Sequence, residues 1–128
     1  MKQKPYGQEL IVDMHGCNKL PKSRAQLTEF LAELIEIMEM EAEDLHFWDY
    51  DGDQEGYDTA PAHLKGTSVI QFIKTSNVTI HKLDELKKVF INMFSCKPFT
   101  PEMMSGMVRL LIKTFGGNVV SDTIIVRN

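Results

Sequence analysis

Residues 67–82, T-S-V-I-Q-F-I-K-T-S-N-V-T-I-H-K, decide the fold because two strand-like runs stand there with a very short link between them. The runs are Val69 to Ile73 and Val78 to Ile80, and both are rich in β-branched residues. The link is Thr75-Ser76-Asn77, where Asn-Gly or Gly-Gly would make the easiest hairpin turn. We therefore predict an antiparallel hairpin whose serine either shapes the turn or takes part in chemistry.

Two amphipathic helices stand outside this hairpin. Ser23 precedes an apolar repeat of helical spacing that continues to about Glu41. Thr100-Pro101-Glu102 is typical of a helix start, and Gly116-Gly117 ends that second helix. Further strands are predicted at 10–14, 45–50, 87–95 and 118–126, and the acidic segment 51–58 is predicted to be a surface loop.

The predicted order β-α-β-β-β-β-α-β defines the fold class. Short links between neighbouring strands favour an antiparallel sheet, and two helices can cover only one face of it. We predict an α+β two-layer sandwich formed by a single domain, residues 1–128. Phe90 and Phe94 suggest that the other sheet face is also apolar, and a second copy of the chain is the simplest cover, which predicts a homodimer.

Composition limits the classes of partner. The 128 residues carry a net charge of −4 and no cluster of Lys and Arg, which argues against nucleic acid and favours a small or cationic molecule. There is no apolar run of about 18 residues, so a membrane span is not expected. We expect a cytoplasmic protein, in which Cys17 and Cys96 would be free thiols.

Metal binding receives little support from the spacing of possible ligands. Asp51, Asp53 and Glu55 match the first positions of an EF-hand loop, but Ala62 stands where the bidentate glutamate belongs. Histidine and cysteine do not occur at zinc-site spacing. We predict no metal site.

Four residues with reactive side chains fall on strands that should be neighbours: Ser68, Ser76, His81 and Cys96. Taken singly, each of them is more often structural, as a turn former, a satisfied histidine or a small buried residue. Their occurrence together is what suggests chemistry.

The segment G-T-S-V-I-Q-F-I-K-T-S-N-V-T-I-H-K-L-D-E (66–85), followed by V-F-I-N-M-F-S-C (89–96), resembles the small prokaryotic S-adenosylmethionine decarboxylases. The opening E-L-I-V-D-M-H-G-C (9–17) also resembles the start of that family, and the similarity runs in order through most of the chain. The resemblance implies a lyase that makes its own cofactor by autocatalytic cleavage of an inactive precursor, or zymogen. Cleavage between Thr75 and Ser76 would convert Ser76 into a pyruvoyl group.

The resemblance also assigns roles to the other three residues. His81 would assist processing, Ser68 would support that step through hydrogen bonds, and Cys96 would return a proton after decarboxylation. The substrate amine would form a Schiff base with the pyruvoyl carbonyl, which then accepts the electrons released with carbon dioxide. The product would serve polyamine (spermidine) biosynthesis.

Substrate binding is implied at Glu85, which matches an acidic residue that holds the ribose hydroxyls, and at Asp13 of the first strand. Phe47 and Trp48 are candidates for stacking on adenine. The chain departs from the family at Thr75, at Asn77, at Leu83 and in an acidic insertion at 50–62. Two alternatives therefore stay open: the same chemistry on arginine or ornithine, and a relative that does not process and has no catalytic activity.

Overall fold

A computed structural model describes residues 4–128 of the chain. Six strands and three α-helices succeed one another: β1 Gly7–His15, α1 Arg24–Ile37, β2 Ala42–Trp48, α2 Gln54–Thr59, β3 Gly66–Ile73, β4 Ser76–Leu83, β5 Lys88–Ser95, α3 Pro101–Phe115 and β6 Asn118–Arg127. A short 3-10 helix, Ala62–Leu64, precedes β3. No helix in this described part of the chain is long and apolar enough to cross a membrane.

The six strands form one antiparallel sheet in the order β2-β3-β4-β5-β1-β6. The predicted hairpin is present, since β3 and β4 pair from Ile73 with Ser76 out to Gly66 with Leu83. The first strand lies between the last two, so the N-terminal and C-terminal parts of the chain share one half of the sheet. The predicted α+β sandwich is confirmed.

Side chains alternate along each strand, so the sheet has one face covered by the helices and one open face. In β4, Ser76, Val78 and Ile80 are buried beneath the helices, whereas Asn77 and Thr79 point to the other side and are partly exposed. In β5, Val89, Ile91 and Met93 are fully buried on the covered face. Within residues 4–128, the two long helices therefore cover one face of the sheet and leave the other face open.

Both long helices begin at the predicted caps and α3 ends at the predicted glycines, whereas α1 ends at Ile37, about four residues before its predicted end near Glu41. The Ser23 hydroxyl accepts a hydrogen bond from the amide of Gln26, which caps α1. Thr100 caps α3 in the same way, and Gly116 ends α3 in the left-handed conformation with φ of 70°. Phe30 of α1 packs edge-on against Phe115 of α3, so both helices contribute to one core over the sheet.

The prediction for the acidic segment was incomplete. It is exposed, as predicted, but Gln54–Thr59 forms a short helix instead of a loop. The Asp53 carboxylate accepts the amide hydrogen of Gly56 and Glu55 lies near the positive end of the helix dipole, so two acids of the calcium-like pattern start a helix. Within residues 4–128, no group of three or more acidic, histidine or cysteine side chains is arranged to hold a metal.

Candidate active site

The turn between β3 and β4 contains the residue with the most informative backbone conformation. Lys74 and Thr75 form this turn, and Thr75 has a φ of 54°. Positive φ is unfavourable for a β-branched residue and costs about 1–3 kcal/mol. The peptide bond that follows is the one for which the resemblance implies cleavage.

Ser76 begins β4 directly after this turn and lies against the end of β5. Its side chain is 7% exposed, and its Oγ accepts a hydrogen bond of 2.9 Å from the backbone amide of Cys96. This hydrogen bond joins two residues that are 20 positions apart in the sequence, so the serine hydroxyl lies next to Cys96. Ser76 is therefore held in one place by a strand pairing and by an amide donor.

Hydrogen bonding favours the ionised form of the Cys96 thiol. The Ser76 hydroxyl, and to a lesser extent the Thr75 hydroxyl, holds the pKa of Cys96 below its ordinary value. The Thr75 hydroxyl has a single proton, and it donates this proton to the carbonyl of Lys74 at an oxygen–oxygen distance of 2.8 Å. Ser76 is therefore the main hydrogen-bond donor to the Cys96 thiolate. Thr75, Ser76 and Cys96 form a compact group, which we call the serine-cysteine cluster.

Three residues that the sequence reasoning missed hold the backbone around Cys96. The buried Ser95 hydroxyl donates to the carbonyl of Lys97 at 2.6 Å and accepts from the amide of Lys97 at 3.2 Å. The Gln8 side chain accepts the amide hydrogen of Phe99. A Cβ on Gly7 would lie 2.0 Å from the carbonyl oxygen of Ser95, so only glycine fits where β1 passes this bend.

Ser68 and His81 form a second pair on the open face. They are direct partners across β3 and β4, and Ser68 Oγ lies 2.7 Å from His81 Nδ1. The hydroxyl donates to an unprotonated Nδ1, or an Nδ1–H donates to the hydroxyl, depending on the tautomer. A cavity of about 280 Å³ adjoins the pair and is lined by Trp48, His63 and Leu64 among others.

The Ser68–His81 pair belongs to a row of residues that crosses the whole open face. Each neighbour in the row is a direct cross-strand partner of the next, in the order Trp48, Ser68, His81, Phe90, Asp13, Ser121. Four of these six are site residues predicted from the sequence. The strand registers therefore bring together Asp13 and Trp48, which are far apart along the chain, with Ser68 and His81.

The serine-cysteine cluster and the Ser68–His81 pair do not meet within one chain. Ser76 lies on the covered face of β4 and His81 on the open face, because five residues separate them and side chains alternate. Five strand residues also span about 16 Å. The expectation that His81 acts on Ser76 is thus not met inside a single protomer.

The remaining predicted substrate-binding residues lie in different surroundings. Glu85 is exposed in the β4–β5 turn, with one carboxylate oxygen 3.7 Å from Lys65 Nζ. Trp48 is 55% exposed on the open face, whereas Phe47 points to the covered face beneath the guanidinium of Arg24. The structure places Trp48 beside the Ser68–His81 pair and separates Phe47 from it.

A buried ion pair lies on the covered side of the sheet, at the residue after His81. Lys82 Nζ donates to Asp84 at 2.6 Å, and the Tyr57 hydroxyl donates to the same carboxylate at 2.8 Å. Burial, followed by the bond to Asp84, raises the pKa of Tyr57 to about 12. Tyr57 belongs to the acidic insertion, so its hydrogen bond to Asp84 attaches this segment to the residues that follow β4.

Comparison with known proteins identifies the family and supports the fold. The family model for S-adenosylmethionine decarboxylase matches residues 8–128, nearly the whole chain. The chain belongs to the S-adenosylmethionine decarboxylase family and is an S-adenosylmethionine decarboxylase-like enzyme.

A solved structure supports the fold assignment. The adenosylmethionine decarboxylase from Aquifex aeolicus VF5 has a TM-score of 0.71 to this chain, and the match covers 98% of this chain and 93% of that one. At 12% identity this likeness shows a common fold. Among curated protein sequences, none matches the chain.

Proposed function

We propose that this chain is a pyruvoyl-dependent S-adenosylmethionine decarboxylase that cleaves itself between Thr75 and Ser76. The observation that carries the proposal is the contact between the Ser76 hydroxyl and Cys96, next to a threonine held at positive φ. In this proposal the Ser76 hydroxyl is the nucleophile, the peptide bond that it attacks follows the strained Thr75, and Cys96 is the neighbouring thiol. The family assignment supplies the substrate class.

Self-cleavage balances as an acyl shift followed by elimination. The Ser76 oxygen attacks the carbonyl carbon of Thr75, the peptide C–N bond breaks, and the Ser76 nitrogen takes up a proton to become a free amine. Loss of the Ser76 α-proton then expels the Thr75 carboxylate from the ester. Water replaces the resulting enamine nitrogen as ammonia and leaves a keto group at the new terminus of the 76–128 fragment.

The surroundings of Ser76 offer a hydrogen-bond donor to the group formed there. Elimination carries the Ser76 Oγ away with the Thr75 carboxylate, so the Cys96 amide hydrogen that this oxygen now accepts becomes available to the oxygen of the new keto group on Cα. Such a group supplies an electrophilic carbonyl that accepts electrons during decarboxylation. Cys96 lies within reach of this point, so its thiol can return a proton to the reacting carbon.

Two copies of the chain would complete the site. The open face exposes apolar side chains, including Trp48, Ile70 and Phe72, which a second sheet would bury. Ser76 begins β4 and Cys96 follows the last residue of β5, so a partner can approach them past the ends of these central strands. We propose a homodimer in which the Ser68–His81 pair of one copy serves the serine-cysteine cluster of the other.

The same proposal assigns the substrate to the open face. Asp13 and Trp48 of the open-face row and Glu85 of the β4–β5 turn would contact S-adenosylmethionine, a small cationic molecule, and the product would enter polyamine synthesis. We propose that residues 1–128 act as one domain in the cytoplasm.

Intact mass and carbon dioxide release test the function together. We expect the purified chain to separate into fragments 1–75 and 76–128, with the second lacking a free amino terminus. The cleaved protein should release carbon dioxide from S-adenosylmethionine much faster than from arginine or ornithine. A chain that stays at full length would identify the non-processing alternative, and a preference for either amino acid would contradict the substrate.

The lowered pKa of Cys96 gives a pH-dependent prediction. Iodoacetamide reacts with the thiolate, so the alkylation rate of Cys96 should rise with pH to a midpoint below that of an ordinary cysteine. Replacing Ser76 removes the main hydrogen bond to the thiolate and should move this midpoint to higher pH. Peptide mass spectrometry of uncleaved His81→Ala and His81→Ala/Ser76→Ala chains measures both midpoints.

Cys17 serves as an internal reference in this experiment. It is buried, and burial raises the pKa of its thiol, so it should react slowly in both chains. A Cys96 midpoint that is the same with and without the Ser76 hydroxyl would contradict the assigned contact.

A further inference from the structure

A second cavity in the described part of the chain is distinct from the serine-cysteine cluster. It is an open groove of about 1320 Å³ on the covered side of the sheet, and neither Ser76 nor Cys96 lines it. Its walls are the loop 17–23, the start of α1, the segment around Asp49 to Tyr57, and the end of β4 at Lys82. A cavity of this size accommodates a small organic molecule.

The carboxylates in the groove already have cationic partners. Asp49 accepts two hydrogen bonds from Arg24, at 2.7 and 2.8 Å, and this pairing lowers the pKa of Asp49. Asp84 accepts from Lys82 and from Tyr57. The exposed Asp51 lies 3.8 Å from Arg24. The acids of the groove are therefore engaged in pairs with two cations.

Three further lysines line the groove without such a partner. Lys19, Lys22 and Lys87 form no ion pair with any carboxylate of residues 4–128. The groove thus has five cationic side chains against three carboxylates, in a chain whose net charge is −4. Positive charge is locally in excess where the protein as a whole is acidic.

The backbone fixes the positions from which two of these lysines project. The amide of Lys19 donates to the carbonyl of Phe115 at 3.0 Å, and the amide of Cys17 donates to the carbonyl of Lys87 at 2.9 Å. The first turn of α1 also faces the groove and contains no acidic residue, so the positive end of the helix dipole adds to the positive potential of the groove. The backbone hydrogen bonds thus hold the main chain of Lys19 and Lys87 in place beside the groove.

We propose that this groove binds a small phosphate-bearing molecule, with Lys19, Lys22 and Lys87 as its charge partners. A dianion matches the net surplus of two positive charges, and the lysine ammonium groups and helix amides are suitable donors to phosphate oxygens. Tyr50 and Tyr57 line the same groove and offer ring surface to the organic part of such a molecule. Gly66, Thr67 and Lys82 line both this groove and the small cavity at the Ser68–His81 pair, which makes the groove a suitable place for regulation.

Titration calorimetry with inorganic pyrophosphate tests the groove on the full chain at low ionic strength. We expect saturable binding that weakens as salt is added. Lys19→Gln and Lys22→Gln should each weaken binding by about tenfold, which is typical of one charged hydrogen bond, and the double variant should bind weaker still. Arg109→Gln is the matched control, since Arg109 is an exposed cation of α3 outside the groove.

Two outcomes would overturn the proposal. One is the absence of pyrophosphate binding at millimolar concentration and low salt. The other is an equal loss of affinity in Lys22→Gln and Arg109→Gln, since that would reflect general charge attraction. Neither outcome depends on self-cleavage, because the measurement needs no catalytic activity and is read equally well on a Ser76→Ala chain.

Discussion

Ser76→Ala is expected to remain a single full-length chain under all conditions in which the unmodified chain separates into two fragments. The variant lacks the attacking oxygen, and without cleavage it lacks the keto group, so decarboxylation of S-adenosylmethionine should fall to background. The alanine fits the buried position, and the loss of one hydrogen bond to the Cys96 amide costs about 1–3 kcal/mol. Intact mass and carbon dioxide release measure the two effects on one sample.

The matched control is Ser105→Ala, which removes an exposed hydroxyl from α3. This variant should cleave and turn over as the unmodified chain does. Circular dichroism of Ser76→Ala should show the same fold, so that a loss of cleavage is not a loss of structure. Cleavage of Ser76→Ala at the normal rate would remove Ser76 from the nucleophile role.

A mixture of two inactive chains should recover cleavage. Ser76→Ala keeps Ser68 and His81 but has no nucleophile, and His81→Ala keeps the nucleophile but not the histidine. A hybrid dimer contains one site with all groups present, because the open face of one copy serves the cluster of the other. Co-expression should therefore cleave the His81→Ala chain, whereas each variant alone stays intact.

Different affinity tags give the two chains different masses, so mass spectrometry shows which chain each fragment comes from. We expect fragments of the His81→Ala chain only. The control mixture combines Ser76→Ala with a chain that carries both substitutions, and it should stay intact. If His81→Ala alone cleaves normally, His81 is not required. If the hybrid stays intact while size-exclusion chromatography shows a dimer, the proposed sharing of sites is wrong.

The hairpin and the two long helices could be predicted because their signals are local. Residues 69–73 and 78–80 show strand composition, and Thr100-Pro101-Glu102 shows a complete helix start within three residues. The position of β1 between β5 and β6 depends on pairing between distant segments, which a pattern within one segment does not encode. The fold class was therefore predictable and the strand order was not.

The candidate site residues stay a prediction from the sequence, whereas their arrangement in space is seen only in the structure. Ser76 and His81 are five positions apart on one strand, and this odd spacing places them on opposite faces. That signal was present in the sequence and was overlooked. The positive φ of Thr75 and the contact of Tyr57 with Asp84, 27 positions away, result from tertiary structure and leave no mark on local composition.

The left-handed conformation of Thr75 has a consequence for the direction of the proposed reaction. An amide is ordinarily more stable than the ester that an acyl shift makes from it, so the first step runs uphill in an unstrained chain. Strain of about 1–3 kcal/mol in the intact turn is released when the peptide bond opens, which favours the ester by roughly 5- to 150-fold. Relief of strain therefore assists the unfavourable first step, while the later loss of the Thr75 carboxylate and of ammonia prevents religation, so maturation would proceed once in the life of each molecule.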